Sequence, residues 1–139
     1  MKKLILCFAA LTLFLFTLKS QELAYVAISV ETNTETLTSV DWDKEIYDFG
    51  EIIQNIPAVA EFEFTNTGDK PLIISKVLGS CGCTSTDYPK DPILPGEKSK
   101  IKATYNAKSV GSFKKNVTVF SNSTEGEKRL KLSGIVIKL

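Results

Sequence analysis

Two cysteines one residue apart, in the run Cys81-Gly82-Cys83, are the residues of this chain best suited to chemistry. In an extended segment the side chains at i and i+2 point to the same face, and two residue steps span roughly 6.6–7.2 Å. A disulfide holds its Cα atoms about 4.4–6.8 Å apart, so a flat strand sets this pair slightly too wide. Gly82 permits a positive φ and a local kink that closes the gap. The spacing admits a bonded pair, a free dithiol or a two-sulfur grip on a soft ion such as Cu(I). As a staple the bonded form is weak, because loop entropy gives such a short ring about 1.6 kcal/mol, against about 3 for fifteen residues. A weak, strained disulfide can be labile, so a redox role stands beside the simpler one of two small sulfurs packed as hydrophobes.

Little else in the chain can join those sulfurs. There is no histidine and the one methionine is Met1. Imidazole metal sites, histidine triads and the usual general base near neutral pH are thereby excluded. Tetrahedral zinc would need carboxylates or a second chain beside the two thiolates. Asp87, Asp91 and Glu97 flank a proline-rich loop, but their spacing fits no calcium loop. Asp41, Asp43, Glu45 and Asp48 form an acidic edge, and charges on a first strand commonly protect an open sheet edge. Nothing assembles a nucleophile with its base. The expectation is a non-enzyme with no catalytic residue, no metal site and no cofactor.

The pair must be positioned by what surrounds it. The 139 residues suffice for one ordinary domain after a leader. Lys2 and Lys3 precede an apolar run from Leu4 to Phe16, and Ser20 offers a small residue before a cut at Gln21, the pattern of an export signal. The run is shorter than the roughly 17–25 residues of a membrane span; an uncleaved anchor is the other reading. Cys7 lies inside it and leaves with it, so two cysteines remain, an even count that suits a disulfide in an exported chain. Losing residues 1–20 removes Lys2, Lys3 and Lys19, leaving 14 basic and 16 acidic residues, a net charge of −2. That is no electrostatic footprint for nucleic acid. Residues 21–39 read as a tether or a loosely held first strand.

From Val40 the pattern becomes regular. Ile46 to Gly50 reads as a short strand that Glu51 to Ile53 continues, and Asn55-Ile56-Pro57 as a turn. Ala60, Phe62 and Phe64 alternate with Glu61, Glu63 and Thr65, the signature of a half-buried strand. Asn66-Thr67-Gly68-Asp69 reads as a turn with two residues tolerant of the left-handed region, and Pro71 opens the next strand, running from Leu72 to Leu78. Beyond the cysteines, Pro95-Gly96-Glu97 marks a tight turn. Ile101, Ala103 and Tyr105 share one face, as do Phe113, Val117 and Val119, and then Leu130, Leu132 and Val136. Asn122 to Gly126 reads as a hairpin turn. Trp42 fits either core or edge. Seven to eight short antiparallel strands with turns every 8–12 residues or so predict an all-β immunoglobulin-like β-sandwich over residues 40–139. The cysteine spacing is not that of the inter-sheet disulfide of antibody domains.

Several segments in order carry a family resemblance: Tyr47-Asp48-Phe49-Gly50, Phe62 to Gly68, Pro71-Leu72-Ile73-Ile74, Ser80 to Thr84, Ile93 to Glu97 and Gly111 to Lys115. Together they resemble the exported bacterial domain-of-unknown-function 1573 family, over about residues 40–139. The resemblance implies an immunoglobulin-like sandwich related to PapD-like and Hydin-type modules, and no established activity. Such proteins often have a glycine in the turn after the first strand, where this chain has Gln54-Asn55-Ile56-Pro57, so the shape of that turn is left open.

The resulting expectation is an exported, non-catalytic binding or structural module, periplasmic or extracellular, with a protein as partner. It carries no nucleic-acid surface and no membrane span once mature. The alternative is a periplasmic thiol protein, redox or Cu(I)-linked, acting through Cys81 and Cys83.

Overall fold

The computed structural model describes residues 37–139. The expected signal, residues 1–20, and most of the expected tether lie outside the described residues. Among the described residues eight strands form two four-stranded sheets. In the first, β1 (Val40–Trp42), β3 (Ala58–Asn66), β6 (Lys98–Tyr105) and β5 (Thr84–Asp87) lie in that order. In the second the order is β2 (Ile46–Ile53), β8 (Glu127–Ile137), β7 (Gly111–Ser121) and β4 (Ile74–Gly79). The sheets face each other as an immunoglobulin-like β-sandwich.

The alternating residues meet between the sheets. Ala60, Phe62 and Phe64 of β3 are buried, as are Ile101, Ala103 and Tyr105 of β6. Phe113, Val117 and Val119 answer them from β7, with Leu130, Leu132 and Val136 from β8. Tyr105 stacks on Phe113 at 4.1 Å between ring centroids, so one aromatic pair bridges the sheets. Trp42 is half-buried and packs at 4.9 Å on Phe64, which places it against the core from an edge strand.

One pairing departs from the all-antiparallel expectation. β1 runs antiparallel to β3, but β2 runs parallel to β8. The first strand is divided: after Trp42 the chain crosses at Asp43-Lys44-Glu45 and continues in the opposite sheet. Because β2 keeps the direction of β1, it meets β8 in parallel where β1 meets β3 antiparallel. The register of β2 against β8 shifts between Asp48 and Glu51, where Gly50 has φ of 63° and donates its N–H to Asp48 Oδ1 at 3.1 Å. The turn after β2 is built with Asn55 at φ 63° in place of a glycine, which Asn tolerates well.

Three boundaries also differ. Pro71 does not open β4, which begins at Ile74; Leu72 instead exchanges backbone hydrogen bonds with Ile93, at 2.8 and 2.9 Å. The sandwich takes in Thr38 and Ser39, two residues before the expected start at Val40: Thr38 N–H donates to Asn122 O, and Ser39 O accepts from Thr67 and Gly68. The turn after β3 uses no left-handed residue. Asn66 is the last residue of β3, fully buried, and its amide ties together the Thr38 segment, its own following turn and the Ile93 segment. Its Oδ1 accepts from the Thr38 hydroxyl at 2.8 Å and the Gly68 N–H at 3.2 Å. Its Nδ2 donates to Lys70 O at 2.8 Å and Ile93 O at 2.9 Å. Gly68 is required by close approach: a Cβ there would fall on the Thr38 hydroxyl and 2.5 Å from the Ser39 nitrogen.

Candidate functional site

The cysteines lie on the crossing from β4 in one sheet to β5 in the other. Ser80 N–H donates to Asn116 O at 2.9 Å, and Asn116 N–H returns a bond to Ser80 Oγ at 3.2 Å. Thr84 N–H then donates to Cys81 O at 3.2 Å, closing a tight turn, and Asn106 N–H donates to Cys83 O at 3.0 Å. Cys81 and Cys83 form a disulfide with Cα atoms 5.2 Å apart, within the usual range. The gap is closed by this turn and not by a left-handed Gly82, which is absent from the positive-φ residues. Both cysteines are partly buried, and Cys83 packs on the core.

A cleft of about 440 Å³ adjoins Cys83, with Lys108, Lys114 and Lys115 among its lining residues. Asp87, Asp91 and Glu97 do not form a site; Glu97 Oε2 accepts the Leu94 N–H at 2.8 Å within its own turn. Among the described residues, no group of three or more carboxylates or thiols is placed to hold a metal ion. Among the same residues, no helix is long and apolar enough to cross a membrane.

Replacing both cysteines with alanine should leave a folded domain that has lost less than about 2 kcal/mol, since the ring constrains the unfolded chain so little. Urea unfolding of the double alanine variant measures this, with a double serine variant beside it to reveal any cost of burying hydroxyls. A loss above about 4 kcal/mol for the alanine variant would exceed ordinary substitution effects and overturn the peripheral reading.

The second feature is an unfinished strand edge. β3 has nine residues but β1 covers only Phe64 to Asn66 of it. Asn66 N–H donates to Glu97 O, just before β6, so the even-numbered residues of β3 bond inward to β6. Asp43 N–H donates to Glu63 O, so the odd-numbered residues bond toward β1. There the pairing stops, and the backbone groups of Val59 and Glu61 face a cleft of about 600 Å³ lined by Asp43, Lys44, Tyr47, Val59, Glu61 and Glu63. Tyr47 of β2 forms one wall, with Lys44 Nζ 4.4 Å above its ring. Val59 is 50% exposed.

Glu61 carries the clearest electrostatic perturbation in the cleft. Lys100 bonds its carboxylate at 2.8 Å and Lys102 lies 3.7 Å away. The Lys100 hydrogen bond holds the Glu61 carboxyl below its ordinary pKa, opposed by some desolvation, and Lys100 is raised in turn by Glu61. A depressed carboxylate pKa contributes stability that is complete above the ordinary value and lost as pH falls through the folded-state value. Lys100→Ala should therefore move the Glu61 titration upward, toward the ordinary carboxylate value, in an NMR pH series. An unmoved Glu61 would show that the pair is dissolved by solvent, as exposed pairs often are.

The alternation in β3 was legible in the sequence, and the edge was not. Its signal was the acidic edge read from Asp41, Asp43, Glu45 and Asp48, of which Asp43 lines the cleft. Asn66 was legible as a turn residue and not as a buried clamp.

Two sheets with a divided first strand define an immunoglobulin-like module. The chain belongs to the family described as protein of unknown function DUF1573, whose model matches residues 40–136. No curated protein matches it. Among solved structures it is similar to a protein of unknown function from Porphyromonas gingivalis W83, with 16% identity and a TM-score of 0.65. That match covers 77% of this chain and 51% of the other, so this chain spans about half the length of that one. It is also similar to an ASH/PapD-like domain of human CEP192, with 12% identity and a TM-score of 0.62, covering 75% of this chain and 89% of that domain. A third likeness, to the VesB protease of Vibrio cholerae, has 14% identity and a TM-score of 0.56, over 70% of this chain and 31% of the protease. At these identities the likenesses establish the fold alone. Among the described residues nothing indicates catalysis, the likeness to a protease concerns the fold alone, and nothing supports a thiol activity at Cys81 and Cys83.

Proposed function

We propose that the chain is an exported, non-catalytic binding or structural module whose partner is a protein. The observation that carries this reading is the sandwich's unfinished edge, where, among the described residues, backbone donors and acceptors of β3 face a cleft instead of a neighbouring strand. Open edges are a ready means of protein contact. The likeness to an ASH/PapD-like domain supports a module of the same build. Export rests on the charged start and the short apolar run.

Two measurements test the reading. The intact mass of the protein recovered from producing cells should correspond to a chain beginning near Gln21; a product retaining residues 1–20 overturns soluble export. For binding, a photo-crosslinking side chain is placed in turn at Val59, Leu78, Leu94 and Ile135, all exposed apolar positions. One defined protein adduct, suppressed by excess unmodified protein, is expected at one or more of them. Absence of adduct at all four overturns the binding reading.

A further inference from the structure

The register of β3 identifies which backbone groups a partner can use. β6 takes the even-numbered residues and β1 takes Glu63 and Thr65, so Val59 and Glu61 each present an N–H and a C=O to the cleft. An extended strand needs such alternate residues on one side of its neighbour to form a ladder. Among the described residues nothing pairs there, because the first strand leaves this sheet after Trp42 to join β8. Beside it the cleft has room for side chains, about 600 Å³, with Tyr47 as an aromatic wall.

The charges at its mouth select among occupants. Asp43 and Glu63 stand opposite each other across the β1–β3 pairing, and like charges in that arrangement repel. Among the described residues neither forms an ion pair; Glu63 feels Lys100, its partner across the β3–β6 pairing, only at a distance, because Lys100 is bonded to Glu61, which Lys102 also approaches. Lys44 lies over the Tyr47 ring. A second copy pairing edge to edge would bring Glu61 and Glu63 against the same carboxylates of its mate. A strand bearing a cation there would relieve the repulsion.

Resting on the binding reading above, we infer that β3 accepts an extended segment of a partner protein as an added strand along Val59–Glu61, with a Lys or Arg of that segment directed at Asp43 and Glu63 and its alternate apolar residues toward Tyr47. The main chain supplies affinity and the alternate side chains supply selection.

The probe is the peptide acetyl-Lys-Val-Lys-Val-Lys-Val-Lys-amide, compared with its glutamate counterpart, acetyl-Glu-Val-Glu-Val-Glu-Val-Glu-amide. Both are added to the full exported chain while residue-resolved amide hydrogen exchange is followed. The basic peptide should slow exchange at Val59 and Glu61 by about tenfold or more, leaving the already bonded Ala60 and Phe62 unchanged. The acidic peptide should not. Asp43→Lys with Glu63→Lys should reverse the preference, with Ala60 and Phe62 reporting that the variant is folded. Protection of Val59 and Glu61 in the protein alone would overturn the inference: if independent of concentration, the chain's own residues fill the edge, and if it grows with concentration, a second copy does. Equal effects of the two peptides, or no effect, also overturn it. An adduct at Leu78, Leu94 or Ile135 with none at Val59 would leave the binding reading intact and remove this edge from it.

Discussion

Asn66→Ala should lower the unfolding free energy by about 3–5 kcal/mol, read as a fall in the urea midpoint at unchanged slope. Asn66 is fully buried, and its amide makes all four of the bonds described above. The Thr38 hydroxyl, itself buried, would lose its acceptor, and leaving a buried group unpaired costs about 1–3 kcal/mol. The Ile93 carbonyl keeps the Leu72 N–H and loses less. Asn66→Asp separates polarity from shape. It keeps the acceptor but aims a carboxylate at two carbonyls, Lys70 O and Ile93 O, which favours its neutral form and raises its pKa. A raised carboxylate pKa makes a variant relatively more stable below the ordinary value and less stable as pH rises through it. The Asp variant should therefore recover part of its loss on acidification, while the Ala variant should not. A loss under about 1 kcal/mol for Asn66→Ala would show that the clamp is replaced by water.

Phe62→Ala should cost a further distinct amount, about 3–5 kcal/mol, through transfer and cavity terms together. The side chain is fully buried at the centre of β3, registered against Ile101 and 6.2 Å from the Tyr47 ring. Val59→Ala, three residues earlier and on the outer face, should stay within about 0.5 kcal/mol. Urea unfolding of the two variants compares the faces of one strand directly. Equal losses would mean that the alternation does not divide core from surface, and the sandwich reading would fall with it.

That alternation is why so much of the architecture could be read from residues alone. Ala60, Phe62 and Phe64, then Ile101, Ala103 and Tyr105, fall inward because a strand's period of two separates apolar from charged positions. What the period does not encode is the sheet a strand joins. The same alternation describes β1 and β2 whether they form one strand or two, so the parallel pairing of β2 with β8 was illegible. The open edge beside Val59 among the described residues follows from that division. Asn66 was misread for a different reason. Asn in a sequence of turn residues is ordinarily a local, solvated feature, and only the return of Thr38, Lys70 and Ile93 to one point makes it an interior one. The cysteine pair was legible as a disulfide candidate because its spacing bounds the distance. The tight turn that closes the distance depends on Thr84 and Asn106, which spacing does not reveal.

The parallel alignment of β2 and β8 also governs how the domain would answer a mechanical load. Ile46 pairs with Lys131 and Ile53 with Ile137, so the start of one strand and the finish of the other lie at opposite ends of a shared ladder. Tension applied between Ile46 and Ile137 runs along that ladder. Its bonds are then sheared as a group instead of being opened one after another, as they would be at the tip of a hairpin such as β7–β8. Pulled in that direction, the domain should resist as a tether does, and β2 should part from β8 in a single step.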